Sequence, residues 1–203
     1  MNFTDTAWKI FNTSIEDYHV LDNIETPINN TYPTDSLERI LYAKNWIDTV
    51  QWHLEDIIRD ENIDPVHALQ LKRTIDASNQ KRTDLVEYID SWFLDKYKNI
   101  TPKTDAKINT ETPAWAVDRL SILSLKVYHM SLEAHRESAS EEHRANCQEK
   151  LDVLLDQKQD LTTSISQLLT DIENGDVKMK VYKQMKMYND ESLNPILYQK
   201  EQK

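Results

Sequence analysis

A chain of 203 residues that carries one glycine, Gly175, has few ways to turn sharply. Tight hairpins and left-handed backbone positions consume glycine, because a residue without a Cβ enters them without a steric penalty. Long helices joined by few connections need almost none. The expected class is therefore all-α: one up-and-down bundle of four main helices, a short N-terminal helix packed across them, a C-terminal helix or arm, and no sheet. This length suits one domain better than two. Its expected parts are a helix and loop over 1–33, a four-helix core over 34–174 and a basic arm over 176–203. A hydrophobic content of 39% beside 29% charged residues fits a folded helical protein and not a disordered chain.

Apolar periodicity places the helices. Trp8, Phe11, Ile15 and Tyr18 share one side of a segment from Ala7 to Tyr18. A polar loop with Pro27, Asn29, Asn30 and Pro33 follows. The first long helix is expected from about Asp35, with Glu38 completing a capping box, to about Arg59. Asp64–Pro65 then reads as a cap followed by a first-turn proline, opening a helix that runs to about Tyr97. Thr112–Pro113 opens the third by the same logic. That helix is apolar almost all round, which puts it at the middle of the bundle. A restart within Glu137–Glu142 precedes the fourth, which ends at Asn174–Gly175. Beyond it, Val177, Val181, Met185 and Tyr188 read as a short helix docked on the acidic bundle, before an arm turning at Asn194–Pro195. The alternation in Val177–Val181 fits a strand about as well.

One interruption stands out. Leu71, Ile75, Leu85, Val86, Ile89 and Phe93 line one side of the second long helix, but the middle of that side carries Ser78 and Arg82, with Asn79 on its shoulder. A guanidinium is costly to bury unless a carboxylate or a bound anion meets it. The first long helix offers candidates on a stripe of Lys44, Asp48, Gln51, Trp52, Glu55 and Arg59, and Asp48 or Glu55 is expected to answer Arg82. Lys158 is a second cation on a core stripe, in the fourth helix. If the two helices are neighbours, Arg82 and Lys158 face each other and bracket either the carboxylates or a bound anion.

Other features read as architecture. Glu16 and His19 have the E-x-x-H spacing of di-iron bundles, but no second pair exists, so both are placed at the surface. Glu87 and Asp90 form an E-x-x-D pair without an upstream partner, on what reads as a solvated face. His129, four residues before Glu133, reads as a hydrogen-bonded core histidine. Cys147, the single cysteine, reads as a buried thiol and excludes an internal disulfide. No metal site and no cofactor is implied. A net charge of −11 argues against nucleic acid. With no signal-peptide pattern and no transmembrane run, the expected setting is the cytoplasm.

Three strings carry a resemblance: KNWIDTVQWHLEDIIRD (Lys44 to Asp60), DASNQKRTDLVEYID (Asp76 to Asp90) and MKMYNDESLNPILY (Met185 to Tyr198). From about Tyr32 onward the chain resembles an uncharacterised bacterial family known as domain of unknown function 4254. The resemblance implies a compact helical protein and supplies no activity or site residues. Two function classes follow from the residues. The preferred one is a protein-interaction or self-association module using Trp-rich faces and the Met/Tyr-rich tail. The alternative is a protein or enzyme that takes an anionic, phosphorylated small molecule such as a sugar nucleotide or nucleotide, with magnesium as a possible helper.

Overall fold

A computed structural model describes residues 2–183 and 192–198. Five long helices dominate: α1 (Phe3–His19), α2 (Leu37–Ile57), α3 (Pro65–Tyr97), α4 (Pro113–His135) and α5 (Glu141–Glu173), with one further turn, α6 (Pro195–Tyr198). Each long helix begins on a polar side chain that accepts from the N–H three residues on, which answers one of the four unpaired donors of a helix start. The caps are Asn2, Ser36, Asp64, Thr112 and Ser140. The α2 cap is thus Ser36 in place of Asp35. None of the described helices is long and apolar enough to cross a membrane.

Cross-helix contacts fix the directions. Leu54 of α2 meets Leu71 and Ile75 of α3, while Asp48 meets Arg82, so the two run antiparallel. Ala134 of α4 meets Cys147 and Leu151 of α5, another antiparallel pair. On α1, Ser14 bonds the Tyr42 carbonyl and His19 approaches His53, so α1 runs parallel to α2. The N-terminal helix therefore does not lie across the bundle. It runs alongside as a fifth member, with Ala7, Phe11, Ile15 and Tyr18 fully buried. The polar stretch after Val20 is long enough to carry the chain back to the start of α2. α4 touches all four other long helices, the central position expected from its apolar composition. The main core joins residues of every long helix, among them Phe11, Leu41, Phe93, Leu120 and Ile165.

A two-residue parallel ladder corrects the expectation of no sheet. β1 (Lys107–Ile108) pairs with β2 (Val177–Lys178), and residues 179–183 are not helical. The strand reading of the alternation in Val177 to Val181 holds at Val177–Lys178, and the partner it needed comes from the loop between α3 and α4. Met185 and Tyr188 lie outside the described residues. Gly175 makes the junction possible. Its φ is +74°, and a Cβ there would sit 3.0 Å from the Thr101 carbonyl oxygen. Its own carbonyl accepts from the Lys103 N–H at 2.9 Å. Left-handed cap and close approach coincide at the one residue type that allows both. Gly175→Ala is expected to destabilise the protein by about 1–2 kcal/mol, the left-handed penalty of an L residue. A urea midpoint that falls at unchanged m-value checks it.

Candidate functional site

The polar centre is built on α2. Lys44 has no solvent exposure, and neither has the side chain of Asp48 one turn on, with which it pairs. A buried ammonium needs more than one answer. The second comes from α4, where Asp118 lies 2.6 Å from Lys44 Nζ. The same helix supplies Ser121, whose hydroxyl donates to Asp48 Oδ2 at 2.7 Å. Asn45 donates to the Ser121 and Ser124 hydroxyls at 3.0 and 3.1 Å. From α3, Arg82 Nε donates to Asp48 Oδ1 at 2.6 Å and Nη1 to Asn79 Oδ1 at 3.0 Å. Two cations thus meet two carboxylates at the junction of three helices.

A cleft of about 480 Å³ opens beside this network. Asp48, Gln51, Trp52, Glu55, Arg59, Asn79 and Arg82 all line it, together with Asp56 and Ile122. Of the residues picked out on sequence, those seven come together. Glu55 does not answer Arg82: it accepts from Gln51 Nε2 at 3.1 Å and pairs with Arg59 at 3.8 Å. Ser78 is buried behind the cleft wall, its hydroxyl without a partner among the described residues. Lys158 lies elsewhere, with its Nζ 4.3 Å from the centre of the Trp8 ring. It therefore does not face Arg82: α5 packs on α4 and α1, and it reaches α3 at its C-terminal end, where Glu173 meets Lys96 at 3.5 Å. A cation–π contact satisfies it instead.

Sequence reasoning placed Lys44 on the right stripe but missed the α4 side of the network: Asp118, which pairs with Lys44, Ser121, which donates to Asp48, and Ser124, which accepts from Asn45. The available signal was three small or acidic residues at helical spacing on an otherwise apolar α4. Asp90 also differs from expectation. It is 3% exposed and sits against the start of α4, near the Thr112 hydroxyl and the Ala114 N–H. Burial pushes its carboxyl up to about 6, and the pull of those two donors offsets only part of that.

The histidines form a second group. His19, read as a surface residue, has only 13% of its side chain exposed. It meets His53 of α2 and His129 of α4 at the C-terminal end of α1. His129 does not bond Glu133, and its Nε2 is buried without a partner among the described residues. Its ring stacks on Trp52 at 4.8 Å and 8°. Burial, with the two neighbouring imidazoles, lowers its pKa to about 4, so the ring is neutral. Glu133 bonds Arg136 and His143 instead. Cys147 Sγ lies 3.4 Å from the same His143 nitrogen that Glu133 engages, so this trio lacks the relay of a nucleophile, base and orienting acid on opposite ring nitrogens.

A family model described as a protein of unknown function, DUF4254, matches residues 38–181, from the first turn of α2 to just beyond β2. The chain belongs to that family. No curated protein and no solved structure gives a match.

Two outcomes are expected. Lys44→Met leaves the buried Asp48 and the half-buried Asp118 with one cation fewer, and should cost about 3–5 kcal/mol. Arg82→Ala should cost less, about 1–3 kcal/mol, because Asp48 keeps Lys44 and Ser121 and the arginine is partly open to water. Denaturation curves that reverse this order would refute the assignment of Lys44 as the central cation. For Asp90 the folded value is raised, so its contribution is fully present below the unfolded carboxylate range and is lost as pH rises through about 6. Asp90→Asn should therefore stabilise the protein by about 2 kcal/mol at pH 8, with the gap to the wild type closing toward pH 4.

Proposed function

We propose that the cleft between α2 and α3 binds a small phosphorylated molecule, of the class of a nucleotide or sugar nucleotide. The observation behind this is an unanswered pair of groups on its wall. Gln51 is buried and donates its amide to Glu55, which fixes its orientation, yet its Oε1 has no partner among the described residues. Arg82 spends Nε and Nη1 on Asp48 and Asn79, which leaves Nη2 for a ligand. Arg59 adds a second guanidinium, and guanidinium forks match phosphate oxygens. Trp52 offers an edge for a ring, and the volume lies within the usual range of small-molecule sites. The acidic balance of the whole chain is no obstacle, because Lys44 and Arg82 already neutralise Asp48. Glu55 and Asp56 are free of that network, and they supply the carboxylates with which magnesium would bridge a diphosphate or one of them would act as a base.

Binding to a protein partner, or self-association, has less behind it. Exposed apolar side chains such as Tyr88, Leu132 and Val153 are spread over three helices, and singly exposed apolar residues are ordinary. A cytoplasmic setting belongs with the ligand reading, since the one free cysteine suits a reducing compartment.

A thermal-shift panel of nucleotides, sugar nucleotides and sugar phosphates, with and without magnesium, tests the reading. A ligand at a hundred times its dissociation constant should stabilise the fold by about 2.7 kcal/mol. Arg82→Lys should blunt the response, since an ammonium cannot make the forked contact. No shift anywhere on the panel would sink the proposal, and light scattering would then decide self-association.

A further inference from the structure

We propose that His19, His53, His129 and Asp22 form a binding site for an imidazole-preferring divalent metal ion of the zinc class. The ligands come from separate parts of the chain: the end of α1 and the turn after it, the last turns of α2 and the second half of α4. One ring nitrogen from each histidine lies within 4.8 Å of the other two. His19 Nε2 and His53 Nε2 are 3.3 Å apart. Two nitrogens bound at about 2.0–2.1 Å to a tetrahedral ion are separated by about 3.3–3.4 Å. That pair already has the edge length of a tetrahedral site.

The contacts of His19 and His53 turn their Nε2 atoms toward each other. His19 Nδ1 lies 2.7 Å from the Ile15 carbonyl oxygen. A carbonyl can only accept, so the proton sits on Nδ1 and the Nε2 lone pair faces the other two rings. His129 Nε2 is the buried atom without a hydrogen-bond partner among the described residues. A metal ion answers such a nitrogen where no donor or acceptor does. The rings are held by flat aromatic neighbours, Trp52 against His129 and Tyr18 against His53 at 5.1 Å and 13°. Little rotamer freedom is left to lose on binding.

Asp22 supplies the fourth position. Its Oδ1 lies 4.0 Å from His19 Nε2 and 3.7 Å from His53 Nε2. Its φ is +48°, a left-handed conformation that a non-glycine residue holds at some strain, and its N–H bonds the Tyr18 carbonyl at 3.0 Å. That turn brings the carboxylate back over the end of α1, toward the histidines. With 59% of its side chain exposed, Asp22 is also the solvent-facing member and marks the way in. Three imidazoles and a carboxylate suit zinc, cobalt, nickel or copper, and not magnesium or calcium, which take oxygen ligands. The site borders the α2–α3 cleft through Trp52, but its argument is independent of what that cleft binds.

The experiment is titration of chelator-treated full-length protein with Zn²⁺ by calorimetry, and with Co²⁺ by visible absorption. One ion per chain is expected, with the intense visible bands of tetrahedral cobalt. His129→Phe keeps the stacking on Trp52 and should weaken binding at least a hundredfold. Asp22→Asn, an exposed change that leaves the core untouched, should weaken it about ten- to a hundredfold. His143→Gln, away from the site, and Arg82→Lys, in the cleft, should leave it unchanged. Circular dichroism accompanies each variant, and Asp22→Asn decides if His129→Phe fails to fold. Absence of stoichiometric binding, octahedral cobalt spectra, unchanged affinity in Asp22→Asn, or loss in His143→Gln would each overturn the assignment.

Discussion

The buried ammonium of Lys44 sets the terms for the rest of the bundle. An ionised group with no exposure is held only if opposite charges and hydrogen bonds replace the water it has lost. For Lys44 they come from Asp48 on α2 and Asp118 on α4, and the buried Asp48 is answered in turn by Ser121 on α4 and Arg82 on α3. Three helices must therefore meet at one register. An apolar seam can slide by a turn and still bury its side chains, whereas a slip here would part charges that have no water to fall back on. Leu, Ile and Phe supply the drive to pack; the charge set supplies the alignment.

The same network divides the interior. On α2 the main core runs through Leu41, Tyr42 and Trp46 and resumes as a smaller cluster at Leu54. On α3 the two parts are Val86 to Tyr97 and Leu71 to Ile75. Between them lie Asp48 and Gln51 on one helix and Ser78, Asn79 and Arg82 on the other. A break at matching heights on antiparallel neighbours leaves few apolar side chains to close the gap, Val50 alone packing against both clusters from α2. The cleft forms there because the chain gives it polar walls that cannot collapse without leaving charges unanswered. A cavity lined by Leu and Ile at that position would have shrunk by side-chain rearrangement.

How much of this was legible depended on whether the signal lay along one helix or between helices. Arg82 was legible, because a guanidinium in the middle of a six-residue apolar stripe is anomalous in one dimension. The central place of α4 was legible for a similar reason, since its apolar residues run almost all round the helix. Lys44 was not, because a lysine that shares a helix flank with two carboxylates normally belongs to water. Asp90 was misplaced because α3 is 33 residues long and meets different neighbours along its length. The face that looks outward for most of α3 is covered at Asp90 by the start of α4. Lys158 was misplaced because its partner Trp8 is on α1, whose direction no local pattern specifies.

The three histidines show that limit most sharply. Positions 19, 53 and 129 share no spacing, and each helix contributes a single imidazole to the group. What unites them is that α1 runs parallel to α2 and α4, which brings the end of α1 level with the last turns of α2. That direction depends on the loop after Val20, a stretch with no periodicity to read. Trp52 then ties the outcome to the polar centre, since its ring stacks on His129 while the same side chain lines the Arg82 cleft. The indole cannot turn toward one side without giving up contact on the other. Two groups of polar residues with no connection in sequence thus share a rigid wall, and the packing of one aromatic side chain sets the distance between them.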